Sequence, residues 1–360
     1  MARSINFSAG PCTLPLEVLE EAREEFLDFA GMGASVIEVS HRSPEFIAVQ
    51  EDAMAAARAV AGVPDDFSVL FVQGGATLQF GMVPMNLLDG DAVAAIAVTG
   101  SWSKKAAADG AHHGDLRVAW DGADEGYARM PSDAELEVPA GARYLHICSN
   151  ETIGGIRFPE FPDVGTPLVV DMSSEFLARP IPWDRVDVVF GGVQKNLGPA
   201  GMAVVFVRTS ILDRTRRDLA AYLRFDTHAD KDSMYNTPPV FTVWMTGKVL
   251  RWMVAKGGTP AIERDAAAKA AAIYEVIDES DGWFRSPVEP AHRSHMNIVW
   301  RLPNDDLEAA FLVASEERGM LGLKGHRSVG GIRASVYAAM PSEGVDALVD
   351  LMRSFRSQHA

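Results

Sequence analysis

Lys195 is the residue of this chain best suited to covalent chemistry. It follows the apolar run Val186–Phe190 and lies inside Gly191-Gly192-Val193-Gln194-Lys195-Asn196-Leu197-Gly198-Pro199-Ala200-Gly201, where a solvated surface charge would be out of place. Lysine is also scarce, with eight against twenty-five arginines. A lysine next to buried sequence loses solvation, its amine becomes easier to deprotonate, and the neutral amine can form a Schiff base with a carbonyl. Asp171 directly follows a second apolar run, Leu168–Val170. That placement is costly unless a cation faces the carboxylate. A lysine at one strand end and an aspartate at another are the pair that pyridoxal phosphate requires: the amine holds the aldehyde, and the carboxylate keeps the ring nitrogen protonated.

Other strand ends carry further candidates. After Ser68–Val72 comes Gln73-Gly74-Gly75-Ala76-Thr77-Leu78-Gln79-Phe80, whose bare N–H groups suit a phosphate and whose composition equally suits an ordinary strand-to-helix turn. It is neither a Walker A loop nor a dinucleotide fingerprint. Trp102, after Val93–Val98, suits core packing or stacking on a planar ligand. Thr152, in the polar stretch after Tyr144–Cys148, offers a hydroxyl. Arg333 stands within Ile332-Arg333-Ala334-Ser335-Val336, where an unpaired guanidinium is expensive, so it calls for a bound anion or an internal carboxylate. His41-Arg42 and His326-Arg327, read alone, are solvated loop pairs or turns.

These residues need elements to hold them. The runs Ser68–Val72, Val93–Val98, Leu116–Trp120, Tyr144–Cys148, Leu168–Val170, Val186–Phe190 and Ala203–Val207 predict strands buried on both faces, mostly alternating with helices. The fold class expected is α/β, with a mostly parallel sheet and ligands at the strands' carboxyl ends. Helices are predicted over Leu16–Phe29 and Pro44–Ala61. From about Gly257 the order becomes helix, strand, helix, strand, helix, a smaller α+β unit. The expected organisation is an arm over residues 1–15, a large domain over 16–256 and a small domain over 257–360.

Composition narrows the function classes. The chain has 360 residues, 48% hydrophobic and 23% charged, with a formal net charge of −16. That acidic balance argues against nucleic-acid or anionic-membrane partners. Only Cys12 and Cys148 occur, so neither a disulfide framework nor a zinc cluster is expected, and no metal site is assigned. No apolar signal core or membrane-length run is visible, which predicts a cytoplasmic protein.

The segments Asn6-Phe7-Ser8-Ala9-Gly10-Pro11, Ser40-His41-Arg42, Gly74-Gly75-Ala76-Thr77-Leu78-Gln79-Phe80, Asp171-Met172-Ser173-Ser174, Gln194-Lys195-Asn196-Leu197-Gly198-Pro199-Ala200-Gly201, Tyr235-Asn236-Thr237-Pro238-Pro239 and Lys324 to Ser335 occur in this order. Together they resemble the phosphoserine aminotransferase family, fold-type-I pyridoxal-phosphate enzymes of class V. The resemblance covers essentially the whole chain. It implies transfer of an amino group between glutamate and 3-phosphohydroxypyruvate in serine biosynthesis. It also implies a four-carbon phosphorylated analogue as a second substrate, in pyridoxine biosynthesis.

By the same resemblance, Lys195 carries the cofactor and moves the substrate proton, Asp171 meets the ring nitrogen, Trp102 stacks on the ring, and Thr152 meets its hydroxyl. Ala76, Thr77 and Gln194 hold the cofactor phosphate, joined by Asn236 and Thr237 from the second subunit of a homodimer with shared sites. His41, Arg42, His326, Arg327 and Arg333 bind the substrate's anionic ends. Some family members have Arg where Thr77 stands, so here the distal phosphate relies on the other cations. Two readings compete. A cysteine desulfurase or an alanine–glyoxylate-type enzyme keeps the fold and changes the chemistry; a desulfurase needs a mobile nucleophilic Cys that neither Cys148 nor Cys12 resembles. A dead-site regulator would not need both Lys195 and Asp171.

Overall fold

The apolar runs assemble into one sheet. The structure is a computed structural model, and it describes residues 3–216 and 218–360. In chain order the first elements are β1 (Ile5–Asn6), α1 (Leu16–Glu25), α2 (Pro44–Ala61), β2 (Phe67–Gln73), α3 (Gly75–Leu87), β3 (Val93–Val98), α4 (Ser101–Gly110) and β4 (Asp115–Asp121). Then come β5 (Leu145–Cys148), β6 (Asn150–Glu151), β7 (Ile156–Arg157), β8 (Leu168–Asp171), β9 (Val186–Gly192) and β10 (Met202–Arg208). The remainder comprises α5 (Thr209–Leu212), α6 (Phe225–Asp230), α7 (Val240–Ala255), α8 (Gly258–Asp278), β11 (Asn297–Trp300), α9 (Asp305–Glu317), β12 (Met320–Leu321), β13 (Ile332–Ser335) and α10 (Ser342–His359).

The main sheet has the order β2-β10-β9-β8-β5-β3-β4. Every pair is parallel except those of β10, which runs antiparallel to β2 and β9. All seven predicted runs are strands of this sheet, but β4, expected to be buried on both faces, is an edge strand with Arg117 and Val118 exposed. Because β10 is reversed, its start lies at the same edge as the carboxyl ends of its six neighbours. Gly74–Gly75, Gly100–Trp102, Ser149–Thr152, Asp171–Ser174 and Val193–Gly201 therefore converge on one edge, the place where α/β sheets bind ligands.

Strand alternation feeds two cores. Val69, Phe71 and Val204 join Phe46 and Val60 of α2 and Trp244 and Leu250 of α7 on one face. Leu70, Val72 and Val205 join Phe80 and Val83 of α3 and Ala106 of α4 on the other. A third core holds Ile273 of α8, Ile298 of β11, Phe311 of α9, Ala334 of β13 and Phe355 of α10. Phe7 of the N-terminal arm belongs to this third core, and β1 pairs in parallel with β12.

Local signals set several boundaries. Ser43 Oγ accepts from Phe46 N at 3.3 Å with Pro44 in the first turn, and Gly62 closes α2 in the left-handed region. The first helix is shorter than its apolar spacing predicts. It stops at Glu25, and a separate turn lets Phe29 bury its ring edge-on against Trp244, 6.2 Å between centroids. Gly191 in β9 answers a packing need, since a Cβ there would lie 2.4 Å from the Phe176 ring.

Candidate active site

Lys195 lies just past β9 and is buried at 9% exposure. Its Nζ donates to Thr152 Oγ1 at 2.7 Å and sits 5.1 Å from the centre of the Trp102 ring. Lys195 forms no ion pair among the described residues. Burial lowers its amine pKa, and Asp171, Cys148 and Glu151 pull it back up. The result is an amine short of both water and counterion.

Asp171 ends β8 and is 4% exposed. Its Oδ1 accepts from Ser173 N at 2.9 Å and Ser173 Oγ at 2.5 Å, and Ser173 Oγ in turn accepts from Gly192 N at 3.1 Å. This chain of bonds locks the carboxylate to the neighbouring strand β9. Burial raises the Asp171 pKa, while Lys195 and the Ser173 bonds lower it. Asp171 has no cationic partner at contact distance among the described residues, so a cationic group on a ligand would relieve it.

Gly74 and Gly75 both have positive φ (94° and 65°) and turn the chain from β2 into α3. No side chain caps this helix start, which leaves the N–H groups of Ala76 and Thr77 for a ligand. The half-buried Gln194 borders the same corner, with its Oε1 2.6 Å from where a Gly192 Cβ would stand. Asn236 and Thr237 are exposed, and Thr237 O accepts from Gln73 Nε2 at 2.8 Å, so their segment lies beside the Gly74 turn.

Arg333 resolves a choice the sequence left open. Its Nε is buried and has no partner, and no carboxylate pairs with it among the described residues. Burial lowers the pKa of its guanidinium. With no internal counterion among the described residues, the half-buried guanidinium is left able to take an anion. His326 and Arg327 lie on a turn closed by Gly325 N to Gly331 O at 2.8 Å, with His326 Nδ1 2.7 Å from Ser328 Oγ. Burial, then the positive charges of Arg333 and Arg327, push the His326 imidazole down. By contrast, no hydrogen bond or ion pair links His41 or Arg42 to this group. Arg42 is exposed, and its N–H bonds Ser40 Oγ at 3.2 Å.

The sequence reading passed over Glu151 and Ser173 as actors in the site. Glu151 is 0% exposed and bonds the start of α4; Ser173 aims Asp171. The signal for both was the run of polar residues directly after a buried strand.

The class V aminotransferase family model matches residues 4–348. This chain is a class V aminotransferase. The aminotransferase is 47% identical to a phosphoserine aminotransferase of Laribacter hongkongensis across 98% of this chain and 99% of that protein. The solved phosphoserine aminotransferase from Bacillus circulans subsp. alkalophilus is 44% identical, covers 99% of each chain and superposes with a TM-score of 0.97. A PLP-bound phosphoserine aminotransferase from Trichomonas vaginalis is 38% identical, covers 98% of this chain and all of that one, and has a TM-score of 0.93. The class V fold thus extends over the described parts of this aminotransferase with no unmatched domain.

Proposed function

We propose that this aminotransferase is a phosphoserine aminotransferase, moving an amino group between glutamate and 3-phosphohydroxypyruvate with pyridoxal phosphate as cofactor. The observation carrying the reading is the buried Lys195, without an ion pair among the described residues and held against Thr152 and Trp102, with Asp171 at the end of the adjacent strand β8. Relatives of that name, matched end to end, support the substrate assignment.

Bound pyridoxal phosphate supplies an aldehyde and an electron-accepting ring. The rest is the work of this chain. Lys195 gives the point of attachment, and its depressed amine can take a proton at the substrate Cα and return it. Asp171, unable to relax because Ser173 holds it, keeps a proton on a ring nitrogen placed before it. Thr152 accepts from Lys195 and still has its own hydrogen to donate to a ring oxygen. The N–H groups of Ala76 and Thr77, with Gln194, cradle a phosphate. Arg333 grips the α-carboxylate in a bidentate pair, and His326 and Arg327, with His41 and Arg42, meet the distal anion.

Further parts of the reading follow. A homodimer would carry Asn236 and Thr237 to the phosphate of the neighbouring site. A large domain to residue 256 and a small one from 257 remain part of the reading: a separate core built on Ile273, Ile298 and Phe311 supports the small domain, to which the 1–15 arm lends Phe7, while Ile262, Ala266 and Tyr337 join the core of the large one. No helix among the described residues is long and apolar enough to cross a membrane, and a cytoplasmic place in serine biosynthesis fits the relatives.

A desulfurase reading finds no nucleophile. Burial raises the Cys148 thiol pKa far above its usual value and moves that of Cys12 up to about 12. The deciding assay supplies glutamate with 3-phosphohydroxypyruvate, and separately with glyoxylate or pyruvate, and follows 2-oxoglutarate. Strong preference for the phosphorylated acceptor is expected; equal or better use of glyoxylate would sink the assignment.

A further inference from the structure

Glu151 is a fully buried carboxylate that takes no part in the chemistry above. It ends β6, one residue before Thr152, and reaches across to the start of α4. Its Oε2 accepts from Trp102 N at 2.9 Å; its Oε1 accepts from Ser103 N at 2.8 Å and from Ser103 Oγ at 2.7 Å. Ser103 Oγ also accepts from Thr99 N at 2.7 Å and Gly100 N at 3.0 Å, which ties the end of β3 into the same knot. The first N–H groups of a helix have no acceptor of their own, and an anion there is favoured by the helix dipole. The carboxylate stands close because residue 100 is glycine: a Cβ there would lie 2.6 Å from Glu151 Cδ.

Burying a carboxylate is costly, and an ordinary helix start is capped by its own Ser or Asp. Here the cap comes from 48 and 49 residues away, and the same short segment presents Thr152 to Lys195. The two groups that contact Lys195 Nζ, the Trp102 ring and the Thr152 hydroxyl, are thus spaced by one side chain. Three donors converge on two oxygens. An amide in that place would set an NH₂ group against an N–H or a hydroxyl.

We propose that Glu151 is a positioning residue of the aminotransferase site: it fixes the Trp102 ring relative to Thr152 and so sets the slot that the cofactor ring enters. The inference rests on the reading of Trp102 as the ring's stacking partner.

A double-mutant cycle tests it. Cofactor release from the holoenzyme into a scavenger and the circular dichroism of the visible cofactor band are measured for wild type, Glu151→Gln, Trp102→Ala and the double variant. Glu151→Gln should speed release about 10-fold beside Trp102 and less than about 2-fold in the Trp102→Ala background, because contacting residues are not additive. The visible band should change in the single variant and not change further in the double. The same acceleration in both backgrounds, or none in either, would overturn the proposal and leave Glu151 a plain helix anchor. A silent Trp102→Ala would instead overturn the stacking reading, and this inference with it. If Glu151→Gln does not fold, Ser103→Ala carries the same comparison, with an expected effect of about 3-fold beside Trp102 and none without it.

Discussion

Thr152 Oγ1 accepts the Lys195 Nζ hydrogen bond at 2.7 Å, and this is the only side-chain hydrogen bond of that amine among the described residues. The pair joins the turn after β6 to the loop after β9. A lysine held by a neutral hydroxyl keeps a lower proton affinity than one paired with a carboxylate at contact distance; here burial outweighs the upward pull of the nearby acidic groups. The arrangement is that of an amine kept ready to react.

Lys195→Ala should therefore retain the fold and lose covalent attachment of pyridoxal phosphate, with turnover down by about 10²–10⁴ for want of the base. Borohydride reduction of the holoenzyme followed by peptide mapping checks the assignment. A pyridoxyl label on any lysine other than Lys195 would refute it.

Arg333 and Arg327 should separate by substrate. Losing a bidentate charged pair costs about 1.5–3 kcal/mol, so Arg333→Gln should raise KM for glutamate and for phosphoserine alike by roughly 10- to 100-fold. Arg327→Gln should raise KM for phosphoserine far more than for alanine. Steady-state kinetics with the three amino donors decides, and equal losses for phosphoserine and alanine would show that Arg327 holds no distal anion.

Stability should fall in mild acid partly through His146. This side chain is 4% exposed, packs between Phe80 and Phe190, and has an Nε2 without a partner; burial alone lowers its pKa to about 4. An unfolded histidine titrates near 6.5. Between these values the unfolded chain binds a proton that the folded chain refuses, so this contribution is intact above pH 6.5 and erodes down to about pH 4. From pH 7.5 to pH 5, His146→Phe should gain about 2 kcal/mol on wild type. Urea midpoints of both proteins at the two pH values measure the difference; parallel pH curves would contradict it.

The exposed Asn236 and Thr237 lie beside their own chain's Gly74 turn, so whether they serve their own site or a partner's is a matter for complementation. A Lys195→Ala chain is co-expressed with an Asn236→Ala/Thr237→Ala chain, under conditions where each homodimer is inactive. If the segment acts across a two-fold interface, random pairing restores roughly a quarter of wild-type sites. Activity no higher than that of the separate variants, with mixed dimers present, would assign the segment to its own subunit.

The inner strands of the main sheet were legible because burial on both faces demands apolar runs, and each candidate at a strand end followed from where such a run stops; the edge strand β4 is largely exposed. What escaped was long-range. Nothing in Ala203–Val207 marks β10 as antiparallel, since its residues pack like those of its parallel neighbours. Glu151 reads as one polar residue among several until the fold sets it against Trp102 and Ser103. The lack of a carboxylate at Arg333 was equally invisible, because partners 100 or more residues apart leave no local trace. His41 and Arg42 show the reverse. Their motif is plain in the sequence, yet among the described residues no hydrogen bond or ion pair joins them to the other cations of the site.

The N-terminal arm links the order of synthesis to the completion of the site. Ile5 N bonds Gly319 O at 3.0 Å, Phe7 N bonds Leu321 O at 2.8 Å and Ser335 N bonds Phe7 O at 3.1 Å, while Cys12 N bonds Gln194 O at 3.1 Å beside the lysine. Residues of the arm thus find their partners in parts of the chain made about 300 residues later. On the ribosome, where the N-terminal parts emerge first, the large sheet can form around Lys195 while the arm still has nothing to pair with. The stretch of the arm around Ile5 and Phe7 can dock only when β12 and β13 have emerged. A chain arrested before residue 319 would carry Lys195 while the arm still lacked its partners in β12 and β13.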